Sequence, residues 1–143
     1  MDPVTHFLSG FVLGKTITKH KILFAVILVS SIIPDIDIIM RLTSKELFLI
    51  YHRGITHGIA ALFLFPFIPA IIFRKKISFL KTYTVTFSAY ALHLFLDLTN
   101  QYGTKILSPF DWTPYSLALT FIIDPYILLP LLLAVLLSIK FKK

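Results

Sequence analysis

Five long apolar segments constrain the fold of this chain more than any other feature of its sequence. They cover residues 4–17, 21–41, 57–73, 83–102 and 117–139. Hydrophobic residues occupy 57% of the 143 positions, more than the about 45–50% of an average soluble domain, so lipid is the expected surroundings. A helix of about 20 apolar residues, range ~17–25, spans a bilayer core. We therefore predict one all-α domain over residues 1–143, a polytopic membrane bundle of about five transmembrane helices.

The basic residues predict an orientation for such a bundle. If the five segments cross the membrane alternately, ten of the fourteen lysines and arginines fall on one side: Lys15, Lys19, Lys21, Arg74, Lys75, Lys76, Lys81, Lys140, Lys142 and Lys143. The positive-inside rule makes that side cytoplasmic, with the N-terminus out and the C-terminus in. The same distribution accounts for the net charge of +7 without a nucleic-acid partner, and none is expected.

Ionisable side chains in or beside the apolar segments predict a functional site, because such groups are costly at membrane depth. Asp35 and Asp37 lie near the end of the second segment, and His93 and Asp97 lie one helical turn apart on one face of the fourth. Residues 52–57 form a polar break with a histidine at each end and a glycine that lets the chain turn. All three motifs fall near the non-cytoplasmic face of the predicted bundle, so they are expected to meet at one level.

The first apolar segment carries a packing motif with a histidine at its outer end. His6, Gly10 and Gly14 follow one another at four-residue spacing and share a helix face. The two glycines form the small-xxx-small pattern that lets helix backbones approach closely. We predict that this face packs against another helix and that His6 joins the other ionisable residues.

The residue types predict a metal centre with nitrogen and oxygen ligands, since the chain has no cysteine. Imidazole with carboxylate suits zinc best, and manganese or iron also fit. The predicted ligands are His6, Asp35, Asp37, His52, His57, His93 and Asp97. They exceed the needs of one tetrahedral ion, so one or two divalent ions are expected. Two ions would activate a water and stabilise an in-line phosphoryl displacement.

Three catalytic residues are predicted beside the metal: Asp37, Arg53 and Asp97. Arg53 can bind phosphate or carboxylate oxygens in a bidentate way, and an unligated aspartate would carry the proton. Asp35 and Asp37 lie two residues apart and do not share a helix face. Either Pro34 distorts the helix, or one aspartate orients a ligating histidine from behind.

Structural roles are the alternative for some of these residues. His93 and Asp97 taken alone are equally well explained by a hydrogen bond that packs two helices. Asp124 precedes Pro125 and suits the N-cap of the last helix, so its membership of the site is left open. The combination of three motifs at one level favours the metal centre over separate structural roles.

The motifs together resemble the YdjM family of inner-membrane metal-dependent hydrolases. The resemblance rests on Thr5-His6 with Gly10, on Pro34-Asp35-Ile36-Asp37, on His52-Arg53-Gly54-Ile55-Thr56-His57, and on His93 through Asp97 to Gly103 and Pro109-Phe110. That family is distantly similar to zinc-dependent phospholipase C and the S1/P1 nucleases. The resemblance implies a metal-dependent hydrolase whose site contains the seven predicted ligands.

The function expected from the sequence is a phosphoesterase of the inner membrane with its site on the non-cytoplasmic side. Its expected substrate is a phosphoester of a lipid or lipid-linked head group, because the site lies at head-group depth. The alternative is a non-catalytic metal-binding or metal-transport protein. A transporter needs polar groups along a path to the other side, and the cytoplasmic halves of the segments have almost none.

Overall fold

A computed structural model of the protein describes residues 1–42 and 44–141, and these residues form helices and loops without a strand. The α-helices are α1 Pro3–Ile17, α2 Lys21–Ser30, α3 Lys45–Tyr51, α4 Ile59–Leu64, α5 Phe67–Phe73, α6 Phe79–Thr99 and α7 Pro125–Lys140. Two 3₁₀ segments, Ile33–Leu42 and Ile55–His57, lie between them. Lys142 and Lys143 of the predicted basic side lie outside the described residues.

The prediction of about five transmembrane helices, with the N-terminus out and the C-terminus in, is wrong for this structure. In the part of the chain that is described, no single helix is both long and apolar enough to cross a membrane. Lys21–Ser30 and Ile33–Met40 reach the required length and hydropathy only together, across a bend of 42°. The predicted orientation was argued from five crossings and loses that argument with them.

Prolines and helix caps explain why the apolar segments are longer than the helices. Pro66 stands at the N-cap of α5 and separates it from α4 inside the predicted span 57–73. The last predicted span was to begin at residue 117, but α7 begins only at Pro125. There Asp124 is the N-cap and accepts a hydrogen bond from the backbone N–H of Tyr126 at 2.9 Å. Hydropathy therefore measures apolar length correctly but says little about where a helix is interrupted.

The packing of α1, α2, α6 and α7 brings four helix ends together. α1 packs against α2, α6 and α7, while α6 also packs against α2. Leu23 and Ile27 of α2 meet Val85 and Ala89 of α6 in the buried core. The backbone N–H of Asp2, before α1, donates to the carbonyl of Ile122, before α7, at 3.1 Å. The starts of α1 and α7 and the ends of α2 and α6 thus lie at one end of the molecule, which positions the site.

The close approach predicted for the glycine face of α1 is confirmed. A Cβ added at Gly10 would lie 2.2 Å from Oγ of Ser31, and one added at Gly14 would lie 2.7 Å from the Phe24 ring. Both neighbours belong to α2 or its C-cap. Because glycine has only a hydrogen in place of a side chain, the α1 backbone can pack closely against α2 at these positions.

Replacing Gly10 with alanine should destabilise the protein. The new methyl group has no room beside Ser31 at the end of a packed helix, and overpacking of this kind typically costs about 1–3 kcal/mol. Thermal unfolding of the detergent-solubilised protein measures the effect. Thr16→Ala, at an exposed position on the same helix, is the control and should leave the unfolding midpoint unchanged or slightly raised. Equal midpoints for Gly10→Ala and wild type would show that α1 and α2 do not need this contact.

Candidate metal centre

Two imidazoles and two carboxylates meet inside the protein at the end where the four helices converge. They belong to Asp35, His57, His93 and Asp97, and one ligand atom of each lies within 4.8 Å of the other three. The two histidines and Asp97 are fully buried, and Asp35 is 9% exposed. These four residues can hold a metal ion.

The distances within this quartet suit tetrahedral coordination. Nε2 of His57 lies 3.1 Å from Oδ2 of Asp97, 3.4 Å from Oδ1 of Asp35 and 3.2 Å from Nε2 of His93. Nε2 of His93 lies 3.7 Å and 3.8 Å from the same two oxygens. Ligands at about 2.0–2.2 Å from a tetrahedral zinc ion are roughly 3.3–3.6 Å apart. The quartet therefore needs only small side-chain movements to enclose one ion.

The hydrogen-bond inventory supports a cation at this place. Oδ2 of both Asp35 and Asp97 is buried and has no hydrogen-bond partner among the described residues. Two carboxylates buried this way repel each other and lack solvation unless a positive charge lies between them. The N-terminal amine of Met1 contacts Oδ1 of Asp97, but burial lowers the pKa of this amine to about 5, so it does not supply that charge at physiological pH. A donor set of two nitrogens and two oxygens is one that zinc accepts.

His93 is oriented by a backbone carbonyl at the end of α2. Its Nδ1 lies 2.9 Å from the carbonyl oxygen of Ser31, which can only accept, so Nδ1 carries the proton and donates. Nε2 is then left with its lone pair facing the quartet, the tautomer that a metal ligand needs. Ser31 is the residue that Gly10 allows close to α1, so the glycine contact helps to place this ligand. The role of Ser31 left no sequence signal, because a backbone carbonyl is present at every residue.

Asp37 lies behind the quartet instead of within it. Its Oδ2 accepts a hydrogen bond from the backbone N–H of Arg53 at 2.8 Å, and its Oδ1 lies 3.1 Å from Nδ1 of His52. Oδ2 also lies 3.7 Å from Nδ1 of His57, the ring nitrogen that faces away from the other ligands. Asp37 therefore holds the loop 52–57 against the centre.

The chain at Asp35 and Asp37 combines the two arrangements that their spacing left open. The backbone leaves α-helical geometry at Ser30 and continues as the 3₁₀ segment Ile33–Leu42. With three residues per turn, positions two apart point to different sides. Asp35 faces His57 and His93, while Asp37 faces the loop.

Three other predicted site residues border the quartet. His6 lies with its Nε2 3.3 Å from Oδ1 of Asp97, and its ring stacks on that of His93 at 3.7 Å. Nη2 of Arg53 lies 3.2 Å from the same Asp97 oxygen. His52 is 28% exposed at its side chain, stacks on Phe48 at 4.4 Å and packs edge-on against the His57 ring at 6.1 Å.

Burial sets the charge state of the His57 imidazole. Loss of solvent lowers its pKa, and this effect outweighs the opposing attraction of Asp35 and Asp37. His57 is therefore neutral at physiological pH. A neutral ring offers the lone pair that coordination requires.

A cavity of about 520 Å³ adjoins the centre, with Asp35 at the boundary between the two. Its polar lining includes His52, Arg53, Tyr102 and Lys105. Tyr102 and Lys105 were not predicted as site residues. Their signal in the sequence was position: they follow α6, which carries His93 and Asp97, and flank Gly103, whose φ of 75° turns the chain back.

Comparisons with known proteins match the whole chain to one protein family. A family model described as YdjM inner membrane protein matches residues 1–143. The chain is 36% identical over 151 aligned residues to a protein of Bacillus subtilis (strain 168) named Uncharacterized protein YfhP. That alignment covers 94% of this chain and 45% of the relative, so the chain spans about half of the relative's length. No solved structure matches the chain significantly.

Substitutions within and beside the quartet should separate ligands from neighbours. His57→Ala and His93→Ala should each sharply lower the zinc bound by the purified protein, since each removes one of four ligands. His52→Ala should keep its zinc, because this ring bonds Asp37 and packs edge-on against His57 but contributes no ligand atom to the quartet. Exposed His20 supplies the control His20→Ala, and elemental analysis is the measurement. An equal loss of zinc from His52→Ala and His57→Ala would mean that the quartet is not the metal site.

Proposed function

Since the chain belongs to the YdjM inner membrane protein family, we propose that its quartet holds a divalent metal ion and that the protein is a membrane-associated metal-dependent hydrolase. The observation that carries this proposal is a cluster of four ligand atoms within 4.8 Å of one another, with one of the four residues, Asp35, at the wall of a cavity. The family resemblance found in the motifs is confirmed. The likeness to phospholipase C and the S1/P1 nucleases stays a prediction.

Asp35, His57, His93 and Asp97 are the proposed ligands, and zinc is the favoured ion on the chemistry of the donor set, with manganese and iron as alternatives. When bound, such an ion lowers the pKa of a water and polarises a phosphoryl oxygen. If a second ion binds, Oδ1 of Asp97 and Nε2 of His6, which lie 3.3 Å apart, would be two of its ligands.

We assign substrate binding to the cavity beside Asp35. Arg53 and Lys105 on its wall attract an anion, while Ile38, Phe48 and Ile122 accept an apolar group. A phosphoester of a lipid or lipid-linked head group carries both parts. This combination supports the substrate class expected from the sequence, and membrane lipid is the proposed partner.

We assign the proton transfer of the reaction to Asp37 and His52 acting together. The oxygens of Asp37 already bond the Arg53 backbone and the His52 ring, so Asp37 does not reach the cavity itself. His52 does line the cavity, and its Nδ1 is oriented by the carboxylate. This pair replaces the single unligated aspartate that the sequence suggested.

A non-catalytic metal-binding or transport protein is the rival function. The cavity favours catalysis, because a structural metal site has no use for an adjoining cavity lined by polar and charged side chains. Transport requires further ligands along α6, but the buried hydroxyls of Thr82 and Thr86 donate to carbonyls of Ser78 and Thr82. These hydroxyls are committed to helix hydrogen bonds.

Asp97→Asn tests the hydrolase directly. The substitution keeps the shape of the side chain and removes the charge of a proposed ligand, so metal-dependent phosphoester turnover should fall by about 100-fold or more. The assay compares detergent-solubilised protein with and without a chelator, using Asp111→Asn as the control at a half-buried aspartate outside the site. If wild type shows no chelator-sensitive turnover, or Asp97→Asn retains it, the site is not catalytic.

We also propose that the centre faces the non-cytoplasmic side of the inner membrane. Lys15, Lys19 and Lys21 border a cavity with Phe141 at the opposite end of the helices from the quartet. Positive charge of this kind favours the cytoplasmic side.

Single cysteines test this orientation, because the chain has none of its own. An impermeant thiol reagent should label Tyr102→Cys in intact cells but should reach Lys19→Cys only after permeabilisation. Both positions are exposed, so they are matched for access. The reverse pattern would place the centre on the cytoplasmic side.

A further inference from the structure

Arg53 is held in an unusual backbone conformation at the junction of the centre and the cavity. Its φ is 55°, in the left-handed region that a side chain with a Cβ disfavours. Hydrogen bonds on both sides maintain it: its N–H donates to Asp37 at 2.8 Å, and its carbonyl accepts from the N–H of Lys105 at 3.0 Å. A conformation that costs free energy and is held by its neighbours is typical of a functional residue.

The guanidinium of Arg53 is buried with part of its hydrogen-bonding capacity unused. Its side chain is 9% exposed, and Nη2 bonds Asp97 at 3.2 Å. Nε and Nη1 have no hydrogen-bond partner among the described residues, although both are buried. A guanidinium is always charged, and leaving its donors unpaired in the interior is costly. The free donors therefore favour a ligand with acceptor oxygens.

The cavity that Arg53 lines carries a second positive charge that would attract such a ligand. Lys105 lines the same cavity and adds a second positive charge; its Nζ lies 5.6 Å from the centre of the Trp112 ring. Asp35, a member of the quartet, also lines it. An anion in the cavity would thus lie beside both Arg53 and Asp35 of the quartet.

We propose that Arg53 forms a phosphate-binding subsite, which holds the non-bridging oxygens of a phosphoester while its apolar substituent lies against Ile38, Phe48 and Ile122. The proposal rests on the hydrolase function above and deepens it by assigning the recognition of the phosphoryl group to one residue. The contrasting role for Arg53 is only to neutralise Asp97. That role uses Nη2 alone and leaves Nε and Nη1 without a purpose.

Binding of inorganic phosphate to the zinc-loaded full chain in detergent tests the subsite by calorimetry. Arg53→Gln should weaken binding by about 10- to 100-fold, the effect of losing hydrogen bonds to a charged group. Arg53→Lys keeps the charge without the planar donors and should bind with intermediate affinity. Arg74→Gln is the matched control, since Arg74 is exposed on the far side of α5 from the loop 52–57, and it should bind as wild type does.

Zinc content is measured on every variant, so that an effect on phosphate is separated from an effect on the metal. Equal phosphate affinity of Arg53→Gln and wild type at equal zinc content would overturn the subsite. Loss of zinc from both Arg53 variants would also overturn it, because Arg53 would then be a positioning residue for Asp97. Binding does not require turnover, so a protein that binds phosphate through Arg53 but hydrolyses nothing would refute the hydrolase alone.

A second ligand identifies the source of the phosphate. Dihexanoyl phosphatidic acid carries the same phosphoryl group on a short lipid that stays monomeric at low concentration. Tighter binding of this lipid than of inorganic phosphate, with the same fold loss in Arg53→Gln, supports a lipid phosphate in the cavity. Equal or weaker binding of the lipid would overturn the apolar half of the proposal and assign the subsite to free phosphate.

Discussion

The burial of Asp35 and Asp97 beside each other is the constraint on which the rest of this structure depends. Two carboxylates in an apolar interior repel and lack solvation, so they are stable only among donors and cations. His57 and Arg53 supply such partners from separate parts of the chain, and His93 directs its Nε2 towards the same oxygens. The cluster therefore joins the end of α2, the loop 52–57 and α6 through charge.

The backbone elements around the cluster position its charged and imidazole side chains. The chain after α2 continues as a 3₁₀ segment, which points Asp35 and Asp37 to different sides. Gly10 brings Ser31 close to α1, and the Ser31 carbonyl then orients His93. The backbone of Arg53 adopts a strained, left-handed conformation, and its side chain lies between the centre and the cavity. Each local irregularity has a consequence at the site.

The surface of the protein agrees with a family described as an inner membrane protein. Ile68, Ile71 and Ile72 of α5 and Leu129 and Leu133 of α7 are exposed large apolar residues. Apolar patches of this kind mark contact with a membrane or with another protein. The helices that carry them are short because Pro66 and the Asp124 cap interrupt the apolar sequence. In this chain, an apolar surface suited to lipid contact therefore does not require a continuous helix that crosses the membrane.

The sequence by itself determined the helical character, the nitrogen and oxygen chemistry of the centre, and the group of residues from which ligands are drawn. Those properties are local: His93 and Asp97 share a face because they are one turn apart, and the absence of cysteine is a matter of composition. Only the tertiary structure decided which residues form the quartet, that Asp37 and His52 stand behind or beside it, and where the helices end. Ligand distances join residues such as Asp35 and His93, far apart in sequence, through a 3₁₀ turn, a strained loop and a backbone carbonyl that no side-chain pattern records.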